Sequence, residues 1–140
     1  MRQDRFAPMN KFMADIVYKI LPQADWLALE RDGQLPLTGT DARDGFVHLS
    51  TAQQLAGTLQ QHFAGADNLV LLALDATQIA TDLKWEASRN GALFPHLYAP
   101  LSRPHIVADF ALDDTQTGPV LSIAARSWIE QNQCEREVVG

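Results

Sequence analysis

The chain has 140 residues, 46% of them hydrophobic and 20% charged, which is the ordinary composition of a single globular domain. Its net charge of −6 argues against a nucleic-acid partner, because such binders need clustered lysine and arginine to contact phosphates. The single cysteine excludes an internal disulfide and any multi-cysteine metal site. No apolar run has membrane-spanning length and no signal-peptide core is present, so we expect a cytoplasmic protein without a membrane partner.

The first half of the chain predicts two strands and two helices. In chain order we predict a strand at 16–21, a helix at 24–31, a loop at 34–44, a strand at 46–49 and a helix between Ser50 and Gly65. Pro22 ends the first strand, and Gly33 follows the first helix. In the second helix, Leu55, Leu59 and Phe63 keep helical spacing.

The second half begins with the most apolar segment of the chain. Residues 69–75 are almost all apolar, which predicts a central strand covered on both faces. Residues 76–104 are predicted to be a long loop with one short element, and 105–110 another strand. Pro119 is predicted at the first position of a terminal helix. The pattern favours an α+β class with few strands.

Three segments are expected along the chain. Residues 1–12 show no periodicity and are expected to form a disordered N-terminal extension. Residues 13–112 are expected to form one domain, and residues 113–140 a C-terminal extension with a helix.

The most informative segment contains His48 and Ser50. Side chains alternate along a strand, so these two point to the same face. The structural interpretation is a hydrogen-bonded core histidine and a serine that begins a helix, with Gln53 completing a capping box. The functional interpretation is an anion site, because free amides at the start of a helix, from Ser50 through Thr51, bind phosphate or carboxylate.

A second polar and aromatic cluster follows at 84–86 and 94–98. Glu86 lies beside Trp85, where partial desolvation would suit a general base or a hydroxyl-binding acid. If the chain is extended there, His96 and Tyr98 share one side. Between residues 84 and 105 three bases oppose one acid, a net +2 (3 − 1), which suits a small anionic ligand.

A metal site is a weaker alternative. His48, Glu86, His96 and His105 could supply ligands, but no His-x-His or His-Glu-x-x-His spacing organises them. We therefore assign no metal ligands.

The chain resembles a known bacterial family, called domain of unknown function 952, from about residue 16 to residue 110. The segments that carry the resemblance are 18–20, Trp26, 44–51, Gln54, 69–75, 84–86 and 94–98. The resemblance implies a small split β-sheet with two or three short helices, similar to the ADP-ribosylation fold of ADP-ribosyltransferases and RNA 2′-phosphotransferases. It also implies NAD or a related nucleotide as a possible cofactor.

The resemblance suggests a role for five of the candidate residues. Tyr18 and Lys19 would lie on one strand of a dinucleotide cleft, His48 and Ser50 on a second, and Glu86 would take the place of a catalytic acid.

Together these observations predict a cleft that binds a small anionic ligand, such as a nucleotide or sugar phosphate. His48 or His96 would move protons, and Glu86 would bind a hydroxyl or act as base. Anion contacts, amide contacts and ring stacking are assigned to Lys19, Arg89 or Arg103, Ser50 and Thr51, and Trp85 or Tyr98. If the protein is an enzyme, group transfer from a dinucleotide is the expected reaction. The alternatives are a non-catalytic ligand-binding or interaction module and a metal-dependent hydrolase.

Overall fold

The structure is a computed structural model that describes residues 16–88 and 91–139, with side chains described as far as Asn132. The extension predicted for residues 1–12 lies outside these residues. Within the described part, no helix combines the length and apolar character needed to cross a membrane.

The described chain contains eight strands and four α-helices. In order they are β1 (Ile16–Pro22), α1 (Gln23–Asp32), α2 (Gly39–Asp44), β2 (Val47–His48), α3 (Leu55–His62), β3 (Leu69–Asp75), β4 (Leu83–Ala87), β5 (Leu93–Leu97), β6 (Ile106–Ala111), β7 (Asp113–Thr115), β8 (Gly118–Val120) and α4 (Ile123–Val139). Short 3₁₀ helices lie at Ala52–Gln54, Ala76–Asp82 and Arg103–His105. The α+β class is confirmed.

The first sheet has the order β1-β3-β6 and is antiparallel throughout. All seven residues of β3 are buried, so the prediction of a central strand covered on both faces is confirmed. One face packs against α3 and α4 through Leu55, Leu59 and Ala125. The other packs against α1 and the second sheet through Leu29, Val47 and Leu97.

The second sheet has the order β2-β5-β4 and is also antiparallel. Leu97 lies between Val47 and Leu83, and these three side chains face the core. Because side chains alternate, His48 and its cross-strand partner His96 face the other way. The split sheet is therefore built so that its second half buries aliphatic residues on one face and displays histidines on the other.

A backbone bridge links the first sheet to the residues that follow β2. The backbone N–H of Tyr18 donates to the Ser50 carbonyl at 2.8 Å, and the N–H of Ser50 donates to the Tyr18 carbonyl at 2.9 Å. This bridge places the residues just after β2 against β1.

Three predictions of local structure were wrong. The loop predicted at 34–44 contains α2, which is short and starts at a glycine, so propensity does not reveal it. The long loop predicted at 76–104 is mostly a 3₁₀ helix with β4 and β5, since β4 alternates too weakly to stand out. Pro119 lies in β8 and α4 begins at Ile123, because a two-residue turn folds Asp113–Thr115 back on Gly118–Val120.

The C-terminal extension packs on the rest of the domain. Ala125 is fully buried in the same cluster as Leu112 and Leu59. Trp128 of α4 lies edge-on to the Tyr18 ring at 6.4 Å between centroids.

Candidate functional site

The site begins with the two histidines on the outer face of the second sheet. His48 and His96 are direct cross-strand partners, and their ring centroids are 5.5 Å apart. Phe46 stacks on the His96 ring at 4.1 Å and lies 4.4 Å from the His48 ring. The aromatic ring therefore restricts how either imidazole can turn.

Asp41, in the helix α2, contacts both the ring and the backbone of His48. Its Oδ1 atom lies 2.6 Å from His48 Nδ1 and accepts the His48 backbone N–H at 3.1 Å. Its Oδ2 atom accepts from Lys19 Nζ at 2.7 Å, and that ammonium also donates to the His48 carbonyl at 3.3 Å. One buried carboxylate thus ties together β1, α2 and β2.

These contacts decide the ionisation of Asp41. Burial raises the pKa of its carboxyl, but the hydrogen bonds from His48 and the charge and hydrogen bond of Lys19 outweigh that effect. The net pKa lies below its ordinary value, so the group is a carboxylate at neutral pH.

Glu86 and Tyr98 hold His96 in a second arrangement. Glu86 Oε1 lies 2.7 Å from His96 Nδ1 and accepts the Tyr98 hydroxyl at 2.7 Å. The hydrogen bonds from His96 and Tyr98 lower the pKa of Glu86. The same contact raises the pKa of Tyr98, because the phenol would lose its acceptor and gain a like-charged neighbour on ionising.

The other nitrogen of His96 is available. Glu86 accepts at Nδ1, which fixes Nδ1 as the donor and leaves Nε2 on the opposite edge of the ring. Within the described residues no hydrogen bond reaches Nε2, although His96 is only 7% exposed. An oriented imidazole with one free nitrogen is the arrangement that general acid–base catalysis requires.

The two histidines border a cavity of about 370 Å³ between α2, α3 and the second sheet. Its polar wall includes Lys19, Arg43, Asp44, Ser50 and Thr58. Its apolar and small residues include Ile20, Leu49, Gly57, Phe63 and Phe94.

The helical segment begins one residue later than predicted. Thr51, not Ser50, is the N-cap of the 3₁₀ helix Ala52–Gln54 that leads into α3, and its backbone N–H donates to Gln54 Oε1 at 3.0 Å. The Ser50 hydroxyl lies 3.0 Å from the Thr58 hydroxyl and is 4% exposed as a residue. Ser50 therefore faces the cavity beside a second hydroxyl, whereas Thr51 is used in the cap.

The structure brings together some of the predicted residues but not all. Four of them border the cavity: Lys19, His48, Ser50 and His96. Glu86 contacts His96 through Nδ1, and Tyr98 donates to Glu86. Three other predicted positions, Tyr18, Trp85 and Arg103, lie elsewhere. Arg89 lies outside the described residues.

Packing and strand geometry explain why these three residues do not border the cavity. Tyr18 is fully buried, because its face of β1 packs against α3 and α4. Trp85 pairs with Pro95 on the opposite face of β4 from Glu86 and is 47% exposed. Arg103 donates to the Glu30 carbonyl at the end of α1. No ligand contact in this cavity is available to them.

Sequence reasoning missed Asp41, Arg43, Phe46 and Thr58 as site residues. Thr58 carried a usable signal, because it lies on the face of α3 that follows from the spacing of Leu55 and Leu59. Asp41 carried none, since it lies in a helix that was predicted to be loop.

The described residues contain no group of three or more histidine, cysteine, aspartate or glutamate side chains arranged to hold a metal ion. His105, one of the ligands considered, accepts the Ser102 backbone N–H through Nδ1 at 3.2 Å and caps a 3₁₀ helix. The metal-dependent alternative therefore finds no ligand set in this part of the chain.

Comparison with known proteins agrees with the resemblance seen in the sequence. The model of the family described as "Protein of unknown function (DUF952)" matches residues 20–109. None of the curated proteins matches the chain.

Two solved structures of protein CC0527 from Caulobacter crescentus are similar to this chain. The crystal structure is 45% identical, covers 76% of this chain and 94% of its own, and superposes with a TM-score of 0.72. The solution NMR structure is 44% identical, covers 75% and 90% of the two chains, and has a TM-score of 0.67. The α+β architecture is therefore shared with an experimentally determined fold.

Proposed function

Because this chain belongs to the DUF952 family of proteins of unknown function, we propose a function from its cavity alone: it binds a small anionic ligand and exchanges protons with it through His96. His48 is the second histidine of the same site. The family supplies no activity, so the proposal depends on the geometry of these residues.

One observation carries the proposal. Two histidines on paired strands each have Nδ1 held by a carboxylate at 2.6–2.7 Å, and both border one cavity. A core histidine needs only a partner for its polar atoms, whereas His96 keeps a buried nitrogen without one among the described residues. Burying that nitrogen without a hydrogen-bond partner costs free energy unless a ligand or water binds to it, which favours a binding site over a packing role.

The cavity also limits the size and charge of the ligand. Its volume lies near the lower end of the roughly 300–1,000 Å³ range of small-molecule sites. A sugar phosphate or a mononucleotide therefore fits better than a dinucleotide enclosed as a whole. The charged residues that border it are Lys19, Arg43 and Asp44; Lys19 is paired with the buried Asp41, and Arg43 is paired with Asp44.

Group transfer from a nicotinamide dinucleotide is a second candidate. It is supported by the resemblance to the ADP-ribosylation fold and by the split arrangement of two three-stranded sheets joined at Tyr18 and Ser50. In this candidate only one end of the dinucleotide would enter the cavity, and Glu86 would act through His96, which it contacts directly.

Calorimetric titration with inorganic phosphate, ribose phosphate, mononucleotides and NAD tests the proposal. We expect ribose phosphate or a mononucleotide to bind the wild type and to lose at least about tenfold in affinity in His96→Asn, the size of one charge-assisted hydrogen bond. His105→Asn is the matched control, because it removes an imidazole outside the cavity.

The outcomes separate the candidates. Binding with turnover that His96→Asn abolishes supports an enzyme, and binding without product supports the non-catalytic module. Equal affinities in His96→Asn, His105→Asn and the wild type would overturn the proposed site.

A further inference from the structure

The second nitrogen of His48 is in contact with another carboxylate. Its Nε2 atom lies 3.0 Å from Asp44 Oδ2, while Nδ1 lies against Asp41. Both contacts are hydrogen bonds only when the ring carries two protons, since a neutral imidazole has one N–H donor. His48 therefore directs its Nε2 atom at whatever occupies the place of Asp44.

Asp44 is also held by its neighbour Arg43. The guanidinium donates through Nε at 2.8 Å and through Nη2 at 3.1 Å, one bond to each carboxylate oxygen. Arg43, Asp44 and His48 all border the cavity. The Asp44 carboxylate thus lies at the cavity edge in a bidentate arginine contact completed by an imidazole, which is how proteins bind carboxylate or phosphate groups.

The chain contains a comparison pair that lacks these features. Arg31 and Asp32 form the same neighbouring bidentate pair at 2.9 and 2.9 Å, at the end of α1. Neither borders the cavity, no histidine contacts Asp32 among the described residues, and the Asp32 side chain is 55% exposed against 30% for Asp44. The histidine and the cavity, not the arginine alone, distinguish Asp44.

We propose that Arg43 and His48 form the anion subsite of the cavity, and that the Asp44 carboxylate occupies this subsite until the phosphate or carboxylate group of the ligand displaces it. The inference rests on the proposed function, because it names which part of the ligand lies where. After displacement Arg43 and His48 make the same number of hydrogen bonds as before, because the ligand's anionic oxygens replace those of Asp44.

Asp44→Asn tests the inference, with Asp32→Asn as the matched control. The asparagine side chain has an NH2 group in place of one carboxylate oxygen, so it cannot accept all the contacts from Arg43 and His48. The subsite therefore becomes available, and the repulsion of the incoming anion is removed. We expect the Kd of inorganic phosphate to fall by about fivefold in Asp44→Asn, a part of the tenfold or more that a charge-assisted contact is worth when desolvated. Asp32→Asn should leave it unchanged, and Arg43→Gln should raise it.

Phosphate binding is measured by calorimetry and by the nitrogen NMR signal of the His48 ring. Among the described residues, the hydrogen bonds of the Asp44 side chain are made with Arg43 and His48, and thermal unfolding of each variant verifies that the fold is retained. If phosphate binds and Asp44→Asn and Asp32→Asn change its affinity equally, the subsite is wrong and the proposed ligand class stands. If neither phosphate nor ribose phosphate binds the wild type or Asp44→Asn, both are overturned.

Discussion

The two carboxylates that orient the histidines lie in very different surroundings. Asp41 is 5% exposed and accepts from Lys19 and from both the ring and the backbone of His48. Glu86 has a side chain that is 40% exposed and, among the described residues, accepts from His96 and Tyr98. The same chemical group therefore supports the fold in one place and orients a single ring in the other.

This difference teaches which positions can be changed to study function. Removing a buried partner leaves an uncompensated charge and destabilises the whole domain, whereas removing an exposed one changes mainly its neighbours. Experiments on Asp41 should thus report stability, and experiments on Glu86 should report the state of His96 and Tyr98.

The largest effect is expected for Asp41→Asn. The substitution leaves the buried Lys19 ammonium without its counter-ion, which should lower the free energy of unfolding by about 3 kcal/mol. Urea denaturation measures this. The double variant Lys19→Met/Asp41→Asn should be less destabilised than the sum of its two single changes, and strict additivity would contradict the buried pair.

The acid limb of stability is the next test of the same contrast. The pKa of Asp41 is lower in the folded protein than its ordinary value of about 4 in the unfolded chain. Its contribution is therefore complete above about pH 4 and is lost as the pH falls through the folded value. The stability difference between wild type and Asp41→Asn should shrink below about pH 4, and a difference independent of pH would contradict this account.

A smaller and local effect is expected for Glu86→Gln. The amide can still accept from Tyr98 but carries no charge, so the raised pKa of Tyr98 should move back toward its ordinary value. Absorbance titration of the phenolate measures this, and Tyr98→Phe identifies the signal, since the chain has two tyrosines. Unfolding in urea should change far less than in Asp41→Asn. A Tyr98 pKa unaffected by the substitution would exclude the Glu86 contact.

The smallest effect on stability is expected for Gly57→Ala, in a part of the cavity wall that contacts neither carboxylate. Gly57 lies inside α3 with an ordinary negative φ, and a Cβ there would meet no described atom within 4 Å beyond its chain neighbours and the backbone of its own helix. Gly57→Ala should stabilise the protein by about 0.5–1 kcal/mol, because alanine loses less conformational entropy in a helix. The neighbouring Ala56→Gly should destabilise it by a similar amount, and destabilisation by Gly57→Ala would show that the wall is packed.

The contrast also explains how far the sequence could predict the site. Alternation along 46–50 was enough to place His48 and Ser50 on one face, and the apolar run at 69–75 was enough to identify the central strand. The pairing of His48 with His96 was anticipated only as a shared site, because strand register between distant segments depends on tertiary packing.

The positions of the other residues relative to the cavity depend on long-range packing, which the sequence pattern does not reveal. The family resemblance placed Tyr18 on a cleft strand, but Tyr18 lies on the face of β1 that packs against α3 and α4. Trp85 and Glu86 are adjacent in sequence, and the strand that contains them sends them to opposite faces. Asp41 lies in a helix of six residues that has no apolar pattern to reveal it.

The nitrogen NMR signals of the histidine rings during titration with ribose phosphate test the central claim most directly. We predict that the Nε2 signal of His96 shifts to saturation while that of His105 does not, because His96 borders the cavity and its Nε2 has no partner among the described residues, whereas His105 lies outside the cavity. A His96 signal that stays constant while the ligand binds elsewhere, or that moves together with His105, would contradict it.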